Sequence, residues 1–165
     1  MKILKRNKIL KDSNMKTYKS KIPEITLKYK TGDILKTKIK SSKDAYNVFM
    51  KMFDSDTLEI QESFILLLLN RANNTIGWIK ISQGGIAGTV VDPKLIFVTA
   101  LKSGASAIII AHNHPSETMN PSDDDIKLTK KIKNGGELLG ISLLDSVIVS
   151  KDTYFSFADS GILLN

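Results

Sequence analysis

Apolar and polar positions alternate with two different periods along this chain, and the changes of period mark its elements. In EITLKYKTGDILKTKIK, residues 24–40, apolar side chains alternate on either side of Thr31-Gly32-Asp33, which predicts a β-hairpin. Tyr46, Phe49, Met50 and Phe53 then fall at helical spacing. They predict a helix from Asp44 to Phe53, capped by Ser41 or Ser42. SFILLLLN, residues 63–70, is a short, continuous apolar run that suits a strand buried on both faces, and pattern alone leaves a buried helix open. A turn at Asn73-Asn74 leads into TIGWIKIS, a second strand able to pair with it. Gly84, Gly85 and Gly88 make a loop, but not a phosphate-binding one, because the Lys-Ser/Thr ending is missing.

Asp92 followed by Pro93 starts a helix as cap and first residue, and Gly104 ends it. ASAIIIA, residues 105–111, is another buried strand and runs directly into His112. Ser122 and three aspartates open a further helix, with Lys130, Lys131 and Lys133 in its last turns and Asn134-Gly135-Gly136 as its stop. LLGISLL, SVIVS and YFSFA read as separate short strands. Strands alternating with helices predict an α/β or α+β fold with helices against a central sheet.

At 165 residues, 42% hydrophobic and 25% charged, the chain suits one soluble domain, read as residues 23–165 behind a basic tail of residues 1–22. No apolar run approaches the roughly 18 residues of a membrane span, and the basic start lacks a signal-peptide core, so a cytoplasmic location is expected. The absence of cysteine excludes disulfides and thiolate chemistry. The net charge of +7 is uneven: residues 1–43 carry 14 of the 24 Lys and Arg against three acids, a net +11, and the remainder carries −4. Such an arm can attract nucleic acid without sequence preference, or serve only as a solvated tail. No element supports specific base recognition.

The chemistry concentrates in HNHPSETMNPSDDD, residues 112–125, which holds both histidines of the chain. Residues i and i+2 of an extended chain share a face, so His112 and His114 can reach one ion from the end of a strand. Asp125, in the first turn of the next helix, can supply a third ligand. Two imidazoles and a carboxylate suit a Zn2+ ion with an open position for water, and they also match the facial triad of some iron(II) oxygenases. Ser122 with Asp125 equally fits a helix capping box, although Glu or Gln is more usual at the second position. Hydrolysis also requires a base, and Glu62, at the start of SFILLLLN, is the candidate. Spacing alone does not separate it from a solvated strand-end residue such as Glu59.

HxHP, six residues, Ser, two residues and Asp, behind a distant Glu, resembles the JAMM metallopeptidases of the MPN-domain class. HNHPS, PSDDD and GTVVDPKLIF are similar to RadC-like proteins within that class, over residues 40–164. The resemblance implies a single MPN domain with one Zn2+ per chain, held by His112, His114 and Asp125. It implies Glu62 as general acid/base and Ser122 as hydrogen-bond donor to the oxyanion. The implied reaction is attack of zinc-activated water on an amide or isopeptide carbonyl of a peptide substrate, with no membrane involved. It also carries an association with DNA repair, so a DNA-associated accessory protein using the basic arm is the alternative. Two positions depart from the RadC-like pattern. Glu117 stands where HNHPSG has glycine, and Ser146 stands in Leu-Asp-Ser where Leu-Asp-His is usual, which leaves Asp145 as a candidate acceptor for a ligand imidazole.

Overall fold

A computed structural model describes residues 36–84 and 90–164. The basic tail and most of the expected hairpin lie outside the described residues, as do Gly85 and Gly88. The element order is α1 (Ser42–Phe49), β1 (Ser63–Leu69), β2 (Thr75–Gln83), α2 (Pro93–Ser103), β3 (Ala107–Asn113), α3 (Asp123–Leu139), β4 (Ser142–Val149), β5 (Tyr154–Ser156) and a 3-10 turn, Ile162–Leu164. The strands form one mixed sheet in the order β2-β1-β3-β4-β5. Only β3 and β4 run parallel, joined by α3; the other pairs are antiparallel.

SFILLLL and AIIIAHN are buried along their whole length, which explains why neither shows alternation. Odd-numbered Ile65, Leu67, Leu69, Ile109 and Ala111 pack with Ala45, Tyr46 and Phe49 of α1. Even-numbered Phe64, Leu66, Leu68, Ile108 and Ile110 pack on the opposite face with Ile96 and Ala100 of α2 and Ile132 of α3. The result is a helix–sheet–helix sandwich whose two central strands meet apolar neighbours on both sides. Among the described residues, no helix is long and apolar enough to cross a membrane.

Local signals place several boundaries where expected. Asp92 accepts from the Lys94 N–H, Pro93 follows, and Gly104 closes α2 at φ 66°. Ser41 is the cap of α1 and accepts from the Asp44 N–H. That helix stops at Phe49, not Phe53. The Phe49 carbonyl then accepts from both Met52 N–H (2.7 Å) and Phe53 N–H (3.0 Å), so tight turns still deliver Phe53 to the core. LLGISLL and SVIVS are not separate strands: Leu138 and Leu139 end α3, and β4 is continuous. An irregularity in its pairing with β3, between Ile108 and Ile109, shifts the side-chain alternation and hides that continuity in the sequence.

Asn134-Gly135-Gly136 does not stop α3, which continues to Leu139 and closes at Gly140 with φ 67°, so the lysines are not in its last turn. The two glycines answer a packing demand instead. A Cβ on Gly135 would lie 2.8 Å from the Phe97 ring, and one on Gly136 would lie 2.3 Å from the Ile141 carbonyl oxygen. The Ile141 N–H donates back to the Gly136 carbonyl at 2.8 Å. Gly136→Ala therefore loses stability despite the roughly 1 kcal/mol that alanine gains over glycine in a helix. The expected net cost is about 1–3 kcal/mol, read as a lower denaturant midpoint at unchanged m. A midpoint equal to or above the wild type would show that the close contact carries no strain.

Candidate metal centre

His112 ends the buried part of β3 and faces the α2/α3 side, as the even-numbered strand residues do. Its ring is nearly parallel to that of Phe64, with centroids 6.1 Å apart and 9° between planes. His114 lies two residues further on, and Asp125 reaches the same point from the first turn of α3. The Nε2 atoms of the two histidines are 2.9 Å apart. Asp125 Oδ1 is 3.2 Å from His112 Nε2, and Oδ2 is 3.6 Å from His114 Nε2. Ligand atoms about 2.0–2.1 Å from a tetrahedral zinc are separated from one another by about 3.3 Å. The Nε2–Nε2 spacing and the His112 Nε2–Oδ1 spacing both lie within about half an ångström of that value, so the residues fit a zinc with one corner left open. Among the described residues it is the only group of three or more such side chains close enough to share an ion.

The tautomer of His114 suits this role. Its Nδ1 lies 2.6 Å from the Thr118 carbonyl oxygen, which can only accept. The proton must therefore sit on Nδ1, leaving the Nε2 lone pair aimed at the centre when the ring is neutral. Without metal the charges organise themselves. Hydrogen bonding to Asp125 raises the His114 pKa against the opposing effect of burial, and the Thr118 carbonyl and the charges of Asp125 and Glu62 add to the rise. Burial works to raise the Asp125 carboxyl, but hydrogen bonds from His112, His114 and Ser122 overcome it and hold the group well below the usual carboxylate range.

Ser122 and Asp125 form the capping box, with aspartate taking the place more often held by Glu or Gln. Ser122 Oγ accepts from the Asp125 N–H at 3.2 Å, while Asp125 Oδ2 accepts from the Ser122 N–H at 2.8 Å. The Ser122 hydroxyl also donates to Oδ2 at 2.6 Å. Oδ2 is thus held by the helix start, and Oδ1 is left for an ion. The capping and ligating readings of these residues describe one arrangement. The hydroxyl must turn from Oδ2 before it can donate elsewhere.

Glu62 directly precedes β1. The antiparallel register pairs Phe64 with His112, and β1 begins at Ser63 while β3 ends at Asn113, so Glu62 and His114 both lie just beyond this end of the paired strands. The Glu62 charge acts on His114. The Gly84 N–H holds the Glu62 carbonyl at 2.8 Å. The site thus gathers Glu62, His112, His114, Ser122 and Asp125 at one end of the sheet. Sequence reading missed Phe64, the Thr118 carbonyl and Asn113. Period-two alternation signals Asn113, because it must point to the face opposite the histidines.

Asp145 is not an acceptor for a ligand imidazole. It shares the α1 face with Val147 and Val149, away from the metal centre. Its carboxylate accepts from Ser146 N–H (2.8 Å), Ala158 N–H (3.0 Å) and Ser156 Oγ (2.6 Å). Ser146 faces α3 and takes a bond from Thr129 Oγ1 at 3.2 Å. Burial raises the Asp145 pKa; its three hydrogen bonds oppose the rise, and the Asp159 charge adds to it. A carboxyl whose folded pKa exceeds its unfolded value binds its proton more tightly in the folded state. Its contribution to stability is full below about pH 3.9 and is lost as pH rises through the folded value. Asp145→Asn is thus expected to gain stability relative to wild type as pH rises from 4 to 7, measured by denaturant midpoints. A difference that stays flat across that range would overturn the sign.

Glu117 has φ 57°, the left-handed conformation that glycine adopts at no steric cost. Its N–H donates to the His114 carbonyl at 2.9 Å, so the strained turn is the one that leads out of the metal centre. Left-handed backbone costs a non-glycine residue about 1–2 kcal/mol, and glycine returns about 0.5–1 kcal/mol of that as unfolded-state entropy. Glu117→Gly should therefore raise the thermal midpoint slightly; a lower midpoint would mean that the Glu117 side chain contributes more than its backbone costs.

A family model for the RadC-like JAB domain matches residues 39–162. A UPF0758 protein of Flavobacterium johnsoniae is 43% identical over 140 residues, 84% of this chain and 60% of its own. UPF0758 proteins of Porphyromonas gingivalis (46% over 104 residues, 62% of this chain and 46% of its own) and Aquifex aeolicus (36% over 140 residues, 85% and 58%) are similarly related. The chain spans about half the length of the curated relatives it matches. The matched region contains the whole sandwich and every residue of the metal centre, and on that ground the chain belongs to the RadC-like JAB-domain family.

Proposed function

We propose that the chain is a zinc-dependent peptidase or isopeptidase of the JAMM type. The observation that carries this reading is the convergence of His112, His114 and Asp125, whose ligand atoms lie within 4.8 Å of one another, with Glu62 near enough for its charge to act on His114. His112, His114 and Asp125 would hold the ion, which would supply the Lewis acidity that acidifies a water and polarises an amide carbonyl. Glu62 takes the proton of the attacking water and returns it to the leaving nitrogen. Ser122, turned from Asp125 Oδ2, donates to the oxygen of the carbonyl as charge develops on it. The Ser122 N–H keeps hold of Oδ2 throughout, so Asp125 does not swing when the hydroxyl leaves. Phe64, buried and stacked on the His112 ring, backs the site with apolar surface.

Zinc-loaded full chain should cleave members of a proteome-derived peptide library, and a chelator should stop the cleavage. Protein that holds about one zinc per chain and cleaves neither linear peptides nor isopeptide-linked substrates would sink the reading.

A further inference from the structure

Asn113 stands between the two histidine ligands and points to the other side of the sheet. It is 1% exposed, and its amide group is fully engaged. Oδ1 accepts from the Ser63 N–H at 2.8 Å. Nδ2 donates to the Leu58 carbonyl at 2.6 Å and to the Gln61 carbonyl at 2.9 Å. A flipped amide would set an oxygen against two carbonyls and an NH2 against an N–H, so the network admits one orientation. The three partners flank Glu62 on both sides in sequence. Asn113 thereby ties the backbone that carries the base to the backbone that carries the metal ligands. Few other side chains could do so. Alanine would leave one N–H and two carbonyls orphaned in the interior, and aspartate would turn a second acceptor toward the two carbonyls.

We propose that Asn113 is a positioning residue that fixes Glu62 relative to the His112–His114–Asp125 centre. The catalytic part of this inference rests on the peptidase reading above; the positional part does not. The backbone of Glu62 is gripped from one side by Asn113, through its neighbours, and from the other by the Gly84 N–H. Loss of the Asn113 grip frees the segment from Leu58 to Ser63 while the ligands keep their strand and helix. A displacement of the order of 1 Å in a reacting group can cost about a hundredfold in rate.

The test uses full-length Asn113→Ala, with Asn113→Ser as the milder variant should the first fail to fold. Three readouts are taken: zinc per chain, amide hydrogen exchange, and cleavage in a cycle with Glu62→Gln. The expected result is about one zinc per chain, exchange at residues 58–63 faster by at least about tenfold with β3 still protected, and cleavage slower by about a hundredfold. In the Glu62→Gln background the same substitution should cost almost nothing, because Asn113 acts through Glu62. Unchanged exchange at residues 58–63, or loss of zinc together with protection across β3, would overturn the proposal. Zinc-loaded wild type without cleavage would instead sink the peptidase reading, with exchange and zinc content still deciding whether Asn113 holds the segment. Active wild type with Asn113→Ala within about threefold of it would sink this inference alone.

Discussion

Asp125→Ala is expected to weaken zinc binding by more than the roughly 10–100-fold typical of losing a ligand's outer hydrogen-bond partner. The residue contributes twice. Its Oδ1 closes the set with the two imidazoles, at 3.2 Å from His112 Nε2. Its negative charge also balances that of a bound dication, a gain that must exceed the hydrogen bonding by which Asp125 raises the His114 pKa in the metal-free centre. The substitution also strips the capping box, leaving the Ser122 N–H without its carboxylate, at an expected cost of about 0.5–2 kcal/mol. Asp125→Asn separates the two effects. It keeps an oxygen for the Ser122 N–H but loses the charge, so it should bind zinc poorly while unfolding close to the wild type in chelator. Affinity is read by competition with a chromophoric chelator, and stability by denaturant unfolding without metal. Zinc affinity of Asp125→Ala within a few fold of wild type would mean that the ion, if it binds, is held elsewhere.

The centre was legible in the sequence because its geometry is mostly local. The i, i+2 rule puts His112 and His114 on one face, and a helix start puts Asp125 on a stiff element; both depend on a few neighbouring residues. Glu62 was different. Nothing near it in sequence distinguishes it from Glu59, and only the pairing of Phe64 with His112 shows that Glu62 lies just beyond the same end of the sheet as His114. The fold shows the same division. Caps at Ser41, Asp92 and Ser122 are short-range signals and mark real boundaries. Gly135 and Gly136 look like a helix stop, yet Phe97 and the Ile141 carbonyl, both set by tertiary packing, require their small size. Asp145 also depends on tertiary register: it pairs with Ile109, three regular steps from the His112–Ile148 pair, and so faces away from His112, which a sequence read without strand pairing does not show. Glu117 is the opposite case. The missing glycine predicts strained backbone from sequence alone, and the φ of 57° is that strain.

Glu62→Gln is expected to leave zinc binding within a few fold of wild type and to slow cleavage by about 10²–10⁴-fold, the usual contribution of a positioned general base. Glutamine keeps the shape and the backbone bond from Gly84, and it removes the charge and the ability to take a proton. The same substitution reports on position without any turnover. The Glu62 charge is one of the influences that raise the His114 pKa in metal-free protein. Removing that charge must therefore move the His114 titration to lower pH, which the imidazole proton resonances follow directly. The direction is fixed by electrostatics: a nearby anion favours the protonated ring, and its loss favours the neutral one. Glu59→Gln is the control, since Glu59 is exposed and precedes the strand by four residues. It should change neither cleavage nor the His114 titration. Equal losses in the two variants, or a Glu62→Gln protein that cleaves within about threefold of wild type, would take the proton-transfer role away from Glu62. A His114 titration that does not move would count against a Glu62 charge close enough to act on the imidazole.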